Sequence, residues 1–189
     1  MPNPIALDIA HRIESVEALD APAGLIGETV RGVLAPGPAK DALSGAWLGH
    51  ALHPILTDLP IGTFTSAVLL DLFGGDSGTA ADKLILFGLA ATPGTIVTGW
   101  SDWADAEQRS PAVRRSGIAH ALSNATAVGF MAASYGARKR GRRGRGKLLS
   151  LAGMTLMGAG GWLGGHLSYT LGAGVDAGAP AQGAQAQSA

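Results

Sequence analysis

Four apolar stretches follow one another along this chain, and charge bounds each of them. The first runs from about Pro54 to Phe73, the roughly 20 residues a bilayer core asks of a helix, with only Asp58 and Asp71 near its ends. The second, Leu84 to Trp100, lies between Lys83 and Asp102; the third, Ser116 to Ala137, lies between Arg115 and Arg138. The fourth is uncharged from Leu148 to Val175. Thr92-Pro93-Gly94 predicts a kink in the second, which a bundle tolerates by re-satisfying the freed carbonyl. Ahead of these spans, residues 5–19 set Ile9, Ile13, Val16 and Leu19 at helical spacing among charges. That pattern predicts a short amphipathic helix on the membrane face or on the bundle. Residues 21–40 hold Pro22, Gly24, Gly27, Gly32, Pro36, Gly37 and Pro38 and read as a broken connection. From Asp41 to His50 a short helix or turn is expected at the interface, with Trp47 at headgroup level. The Gly/Ala/Gln tail from Ala177 is too poor in apolar residues to fold. The predicted class is all-α: a four-span transmembrane helix bundle over 45–176, an N-terminal amphipathic extension over 1–44, and a disordered tail over 177–189.

Composition sharpens that picture. Charged residues make up 15% of the chain, against about 25% in ordinary soluble domains. The absence of cysteine excludes disulfides, thiolate metal sites, covalent c-type haem and an iron–sulfur cluster of the chain's own. A formal net charge of zero gives no general field toward nucleic acid. One segment is strongly basic: RKRGRRGRGK, Arg138 to Lys147, holds seven of the fourteen Lys and Arg. It is brief and has no aromatics to stack on bases, so nucleic acid is not an expected partner. The positive-inside rule places it in the cytoplasm, with anionic-lipid contact as a by-product. Alternation of spans then puts both termini and the loop 101–115 outside a multi-pass protein of the inner (plasma) membrane. No cleavable signal is visible in the first 30 residues, so insertion is expected to rely on the internal spans.

The same alternation gathers histidines. His50 and His53 stand at the outer mouth of the first span, where Pro54 suits the first helical position. His120 lies five residues into the third. His166 lies nineteen residues after Lys147, roughly 28 Å up the fourth span at helical rise. Four of five histidines are thus expected at one end of the bundle. Neutral imidazole is the usual ligand for haem iron, copper or zinc, and facing helices build such sites. His53, His120 and His166 are the candidate ligands, with His50 in reserve. Asp58, Ser123, Asn124, Asp102 and Ser168 are candidates to orient a ligating ring. Non-covalent haem b is the favoured cofactor, with copper, zinc or none as alternatives. Gly160-x-x-x-Gly164 and Gly161-x-x-x-Gly165 favour close helix packing over room for a flat ring. Two other readings stay open: a structural or assembly subunit without cofactor, and a small transporter or proton conductor using Asp58 and the histidines. No nucleophile elbow, phosphate loop or dinucleotide fingerprint occurs.

The segments LGHALHPILTDLPIG, ATPGTIVTGWSDW, GIAHALSN and GGHLSYTLGAGV resemble the bacterial membrane proteins grouped as domain-of-unknown-function family 2231, over about residues 45–176. The resemblance carries to His53-Pro54, Pro60-Ile61-Gly62, Asp102, His120, Asn124 and Gly165-His166. Other branches have a histidine where this chain has Asp58. Some members are joined to Rieske-type iron–sulfur or cytochrome-like domains. That implies membrane electron transfer, with a separate iron–sulfur protein, a cytochrome or a quinone as the expected redox partner.

Overall fold

The computed structural model describes residues 4–75 and 77–173, so the predicted disordered tail lies outside the described residues. Among these the chain is all-helical, with seven α-helices: α1 (Pro4–Glu14), α2 (Asp20–Val33), α3 (Pro38–Ser44), α4 (His53–Phe73), α5 (Gly78–Ala106), α6 (Pro111–Lys139) and α7 (Arg143–Gly165). The last runs on as a wider π turn over His166–Thr170. Three of them, α4, α5 and α7 with its π turn, are long and apolar enough to cross a membrane. The third expected span, α6, falls short of that apolarity because His120, Ser123, Asn124 and Ser134 lie along it. Those groups point into helix contacts. Ser123 donates to the Leu156 carbonyl and Ser134 to the Gly146 carbonyl, both on α7.

The four long helices touch in the order α4–α5–α6–α7, and α7 closes back on α4. Consecutive pairs are antiparallel: His53 meets Gly99 while Phe64 meets Gly88, and His120 meets Gly164 while Arg138 meets Gly146. Inward positions on α6 alternate in steps of three and four: Gly117, His120, Asn124, Ala127, Met131, Ser134, Arg138. Facing them, α7 presents Gly146, Ser150, Gly153, Met157, Gly160 and Gly164 in the same rhythm. A sustained 3.5-residue period dictates a left-handed wrap of one helix about the other. Glycine at every second seam position of α7 admits bulk from α6: an added Cβ would stand 2.5 Å from Arg138 at Gly146, 3.0 Å from the Ala127 carbonyl at Gly153, and 2.6 Å from Asn124 at Gly160. Phe64, Ala67, Ala81, Ile85, Ala127, Met131 and Met157 form the apolar core.

Proline does not break these helices. α4 continues through Pro60 and α5 through Pro93, the site of the expected kink. Pro60 lacks the N–H that would bond the Leu56 carbonyl, and Thr95 of α5 donates to that carbonyl at 3.0 Å instead. The N-terminal region departs further from expectation. Residues 21–40 were expected to be broken, yet α2 runs unbroken through most of them. Pro22 falls in its first turn, where a missing donor costs nothing. Gly27 is needed for close approach, since a Cβ there would sit 2.8 Å from the Glu107 carboxylate.

Candidate functional site at the histidine end of the helices

Each histidine found near this end has its own partner. His53 opens α4, and its ring lies on Gly99 of α5, where a Cβ would stand 2.7 Å from Cε1. Its Nδ1 is 3.0 Å from the Thr95 carbonyl and 3.4 Å from the Thr98 hydroxyl. His120 of α6 lies on Gly164 of α7, and its Nδ1 is 2.8 Å from the Gly160 carbonyl. The carbonyl in each case can only accept, so each ring carries a proton on Nδ1, and in the neutral form the lone pair is on Nε2. Asn124 donates to the His120 carbonyl at 3.0 Å and stands 3.3 Å from its Nε2.

His166 goes elsewhere. Buried at the start of the π turn, it meets Glu14 of the N-terminal extension through Nε2 at 2.7 Å and stacks on Trp162. His50 is exposed, with Nδ1 only 3.4 Å from the Ala51 carbonyl. The four histidines therefore share an end of the molecule, but each ring is held by a different partner. Among the described residues no three His, Asp or Glu side chains are placed to share a metal ion. Of the orienting candidates, only Asn124 touches a candidate ligand. Ser123 bonds α7 and Asp58 is exposed on α4. Asp102 is half-buried on α5 beside Lys40 and Asp105, and Ser168 is half-buried in the π turn. The small-residue motif of α7 serves packing: Gly160 seats Asn124 and Gly164 seats the His120 ring.

The extension closes this end as a cap. α1 packs on α6, α2 on α5 and α6, and α3 on α5. The overhang that receives it follows from length, since α5 and α6 each have 29 residues, roughly 43 Å at helical rise, against a hydrocarbon core of about 30 Å. Arg115 grips Asp20 through two nitrogens, at 2.5 and 2.9 Å. Lys40 reaches the Ser101 carbonyl at 2.6 Å and Asp105 at 2.8 Å. Glu107, 1% exposed, sits between Arg31 at 2.7 Å and Arg114 at 2.6 Å. Burial pushes the Glu107 carboxyl upward, but the two guanidiniums outweigh it and hold the group below the usual glutamate range, so the bridge is ionised at neutral pH. Ile5, Ile9, Leu25, Val33 and Trp47 remain exposed on the cap, placing apolar edges where a membrane interface can receive them. Glu14 carried no signal in the sequence, because its partner is 152 residues away.

A second polar cluster, not foreseen, occupies the opposite end. Arg138 of α6, wholly buried, chelates Asp71 of α4 through both terminal nitrogens. It also reaches Asp82 of α5 at 3.2 Å and Ser150 of α7 at 3.2 Å. Arg143 takes the other oxygen of Asp82 at 2.9 Å, and Lys147 bonds the Asp71 carbonyl at 2.8 Å. The seam spacing carried the signal, since Arg138 continues the three-and-four rhythm of α6 by one step beyond Ser134.

The family model described as predicted membrane protein DUF2231 matches residues 49–177, more than half of the chain. The chain belongs to the DUF2231 family. No curated protein and no solved structure matches it. This DUF2231 protein is thus a membrane protein with apolar helices, and the matched segment begins at Gly49, after α1, α2 and α3.

Proposed function

We propose that this DUF2231 protein is a four-span membrane bundle acting as an electron-transfer subunit, and that His53 and His120 would be the residues to hold a b-type haem. The supporting observation is that both rings give Nδ1 to a backbone carbonyl of the next helix. Ligating histidines are commonly oriented this way, with the second nitrogen tied down and the first left basic. The donor chemistry therefore fits: two neutral imidazoles on different helices, each ring seated on a glycine. Haem, when bound, supplies reversible one-electron chemistry. Thr95 and Gly160 fix tautomer and ring direction, and both rings are half-buried against the next helix. Asn124 is the neighbour that a group at the His120 Nε2 would displace. Copper or zinc would draw on the same two imidazoles, which no third His, Asp or Glu joins among the described residues. In this reading a separate iron–sulfur protein, cytochrome or quinone exchanges the electron at the capped face.

A different observation favours a second reading, a cofactor-free assembly subunit. His166 is tied to Glu14, and ion pairs from the extension answer the charges of the overhanging helices. That arrangement makes the cap a built surface on which a partner protein can dock. A reduced-minus-oxidised optical spectrum of protein purified in detergent from haem-replete cells separates the two. A haem spectrum is expected that vanishes in His53→Ala and in His120→Ala but survives in His166→Ala and His50→Ala. Colourless protein, or pigment retained by both of the first two variants, would overturn the haem reading and leave the assembly one.

A further inference from the structure

The basic segment divides its charges. Arg138, Arg143 and Lys147 turn inward to Asp71 and Asp82. Arg140, Arg142 and Arg145 do not: all three are exposed, and no carboxylate among the described residues pairs with them. The one side-chain bond seen is from Arg140 to the Gly136 carbonyl, at 3.3 Å. These three arginines line a groove of about 210 Å³ between α6 and α7, and its remaining walls are Ala133, Ala137 and Leu149. A ring of uncompensated positive charge above an apolar floor, at the end of long apolar helices, matches one chemistry: an anionic head joined to a hydrocarbon tail. Leu148, exposed next to Leu149, extends the apolar margin toward the bilayer. Guanidinium forks suit phosphate oxygens better than point charges do.

We infer that this groove is a binding site for an anionic phospholipid, its phosphate held by Arg140, Arg142 and Arg145 and the first part of an acyl chain lying on Ala133, Ala137 and Leu149. The site differs from diffuse attraction of a basic loop to a charged membrane, because only the outward arginines line it and it has an apolar floor. Inorganic phosphate offers the same head chemistry without the chain, and zwitterionic lipid offers the chain without net charge.

The full chain, stripped of lipid in a neutral detergent, is titrated with phosphatidylglycerol, phosphatidylcholine or inorganic phosphate, and binding is read by native mass spectrometry. Phosphatidylglycerol is expected to bind at one site and the other two probes are expected to bind far more weakly. The variant R140Q/R142Q/R145Q should lose about a hundredfold in affinity, at the usual contribution of each basic group near an anionic head. Because these side chains are exposed, the fold should survive their loss. Ala133→Trp, which fills the floor without changing charge, should also abolish one-site binding, whereas Lys83→Gln should not alter it. Equal binding of both lipids, displacement of lipid by phosphate at similar concentration, or wild-type affinity in either the triple variant or Ala133→Trp would overturn the proposal.

Discussion

Arg138→Met is expected to lower the stability of the folded chain by about 3–5 kcal/mol, the usual penalty for removing one partner of a buried ion pair. The side chains of Arg138 and Asp71 are 0% and 3% exposed, so the abandoned carboxylate has no water to turn to. Methionine keeps much of the volume, which confines the effect to charge and hydrogen bonding. Asp71→Asn should be milder, because an amide still offers one acceptor to the guanidinium. The double variant Arg138→Met/Asp71→Leu should recover part of the loss, since a well-packed apolar pair can replace a buried salt bridge at little or no cost. Thermal or denaturant unfolding in detergent checks all three. A single variant within about 0.5 kcal/mol of wild type, the range of ordinary surface changes, would show that the four-helix clasp contributes nothing.

The glycine seam gives the second large effect. A Cβ added at Gly153 would stand 3.0 Å from the Ala127 carbonyl oxygen and 3.1 Å from the Phe130 Cβ, so even one added carbon presses on its neighbours and a larger side chain must push the helices apart. Gly153→Leu should cost about 3 kcal/mol or more, at or above the top of the range for overpacking a close interface. Gly158→Leu is the paired control. Nothing lies within 4 Å of a Cβ there, so the leucine should be neutral or gain up to about 1 kcal/mol from helix propensity. Equal losses at both positions would mean that α7 is not held against α6 by its small residues.

Much of this fold was legible because hydrophobic length is a local property. The stretches from Pro54, Leu84, Ser116 and Leu148 each became a helix, and Pro54 took the first turn of α4 as its fixed φ favours. The alternation of those helices brought His53, His120 and His166 to one end. Their partners were not legible. Whether a histidine faces its neighbour or a surface carboxylate depends on helix rotation and on the cap, and Glu14 reaches His166 only because α1 lies across α6. The residues 21–40 misled for a related reason, since proline and glycine signal a break unless tertiary packing uses them, as the Glu107 bridge uses Gly27. Arg138 was readable in principle: the three-and-four rhythm from Gly117 onward passes through it, although it also opens the basic run read as a cytoplasmic loop.

The histidine pair, the cap and the basic groove all presuppose that α6 crosses the bilayer despite its polar seam, setting Arg109's loop and the basic loop on opposite faces. The chain has no cysteine, so single cysteines placed at Gln108 and at Arg140 report their side of the membrane without background. In intact cells, a thiol reagent that cannot cross the membrane should label one of the two positions and reach the other only after permeabilisation. Labelling of both positions, or of neither, before permeabilisation would place the two ends of α6 on the same side and contradict the four-span arrangement.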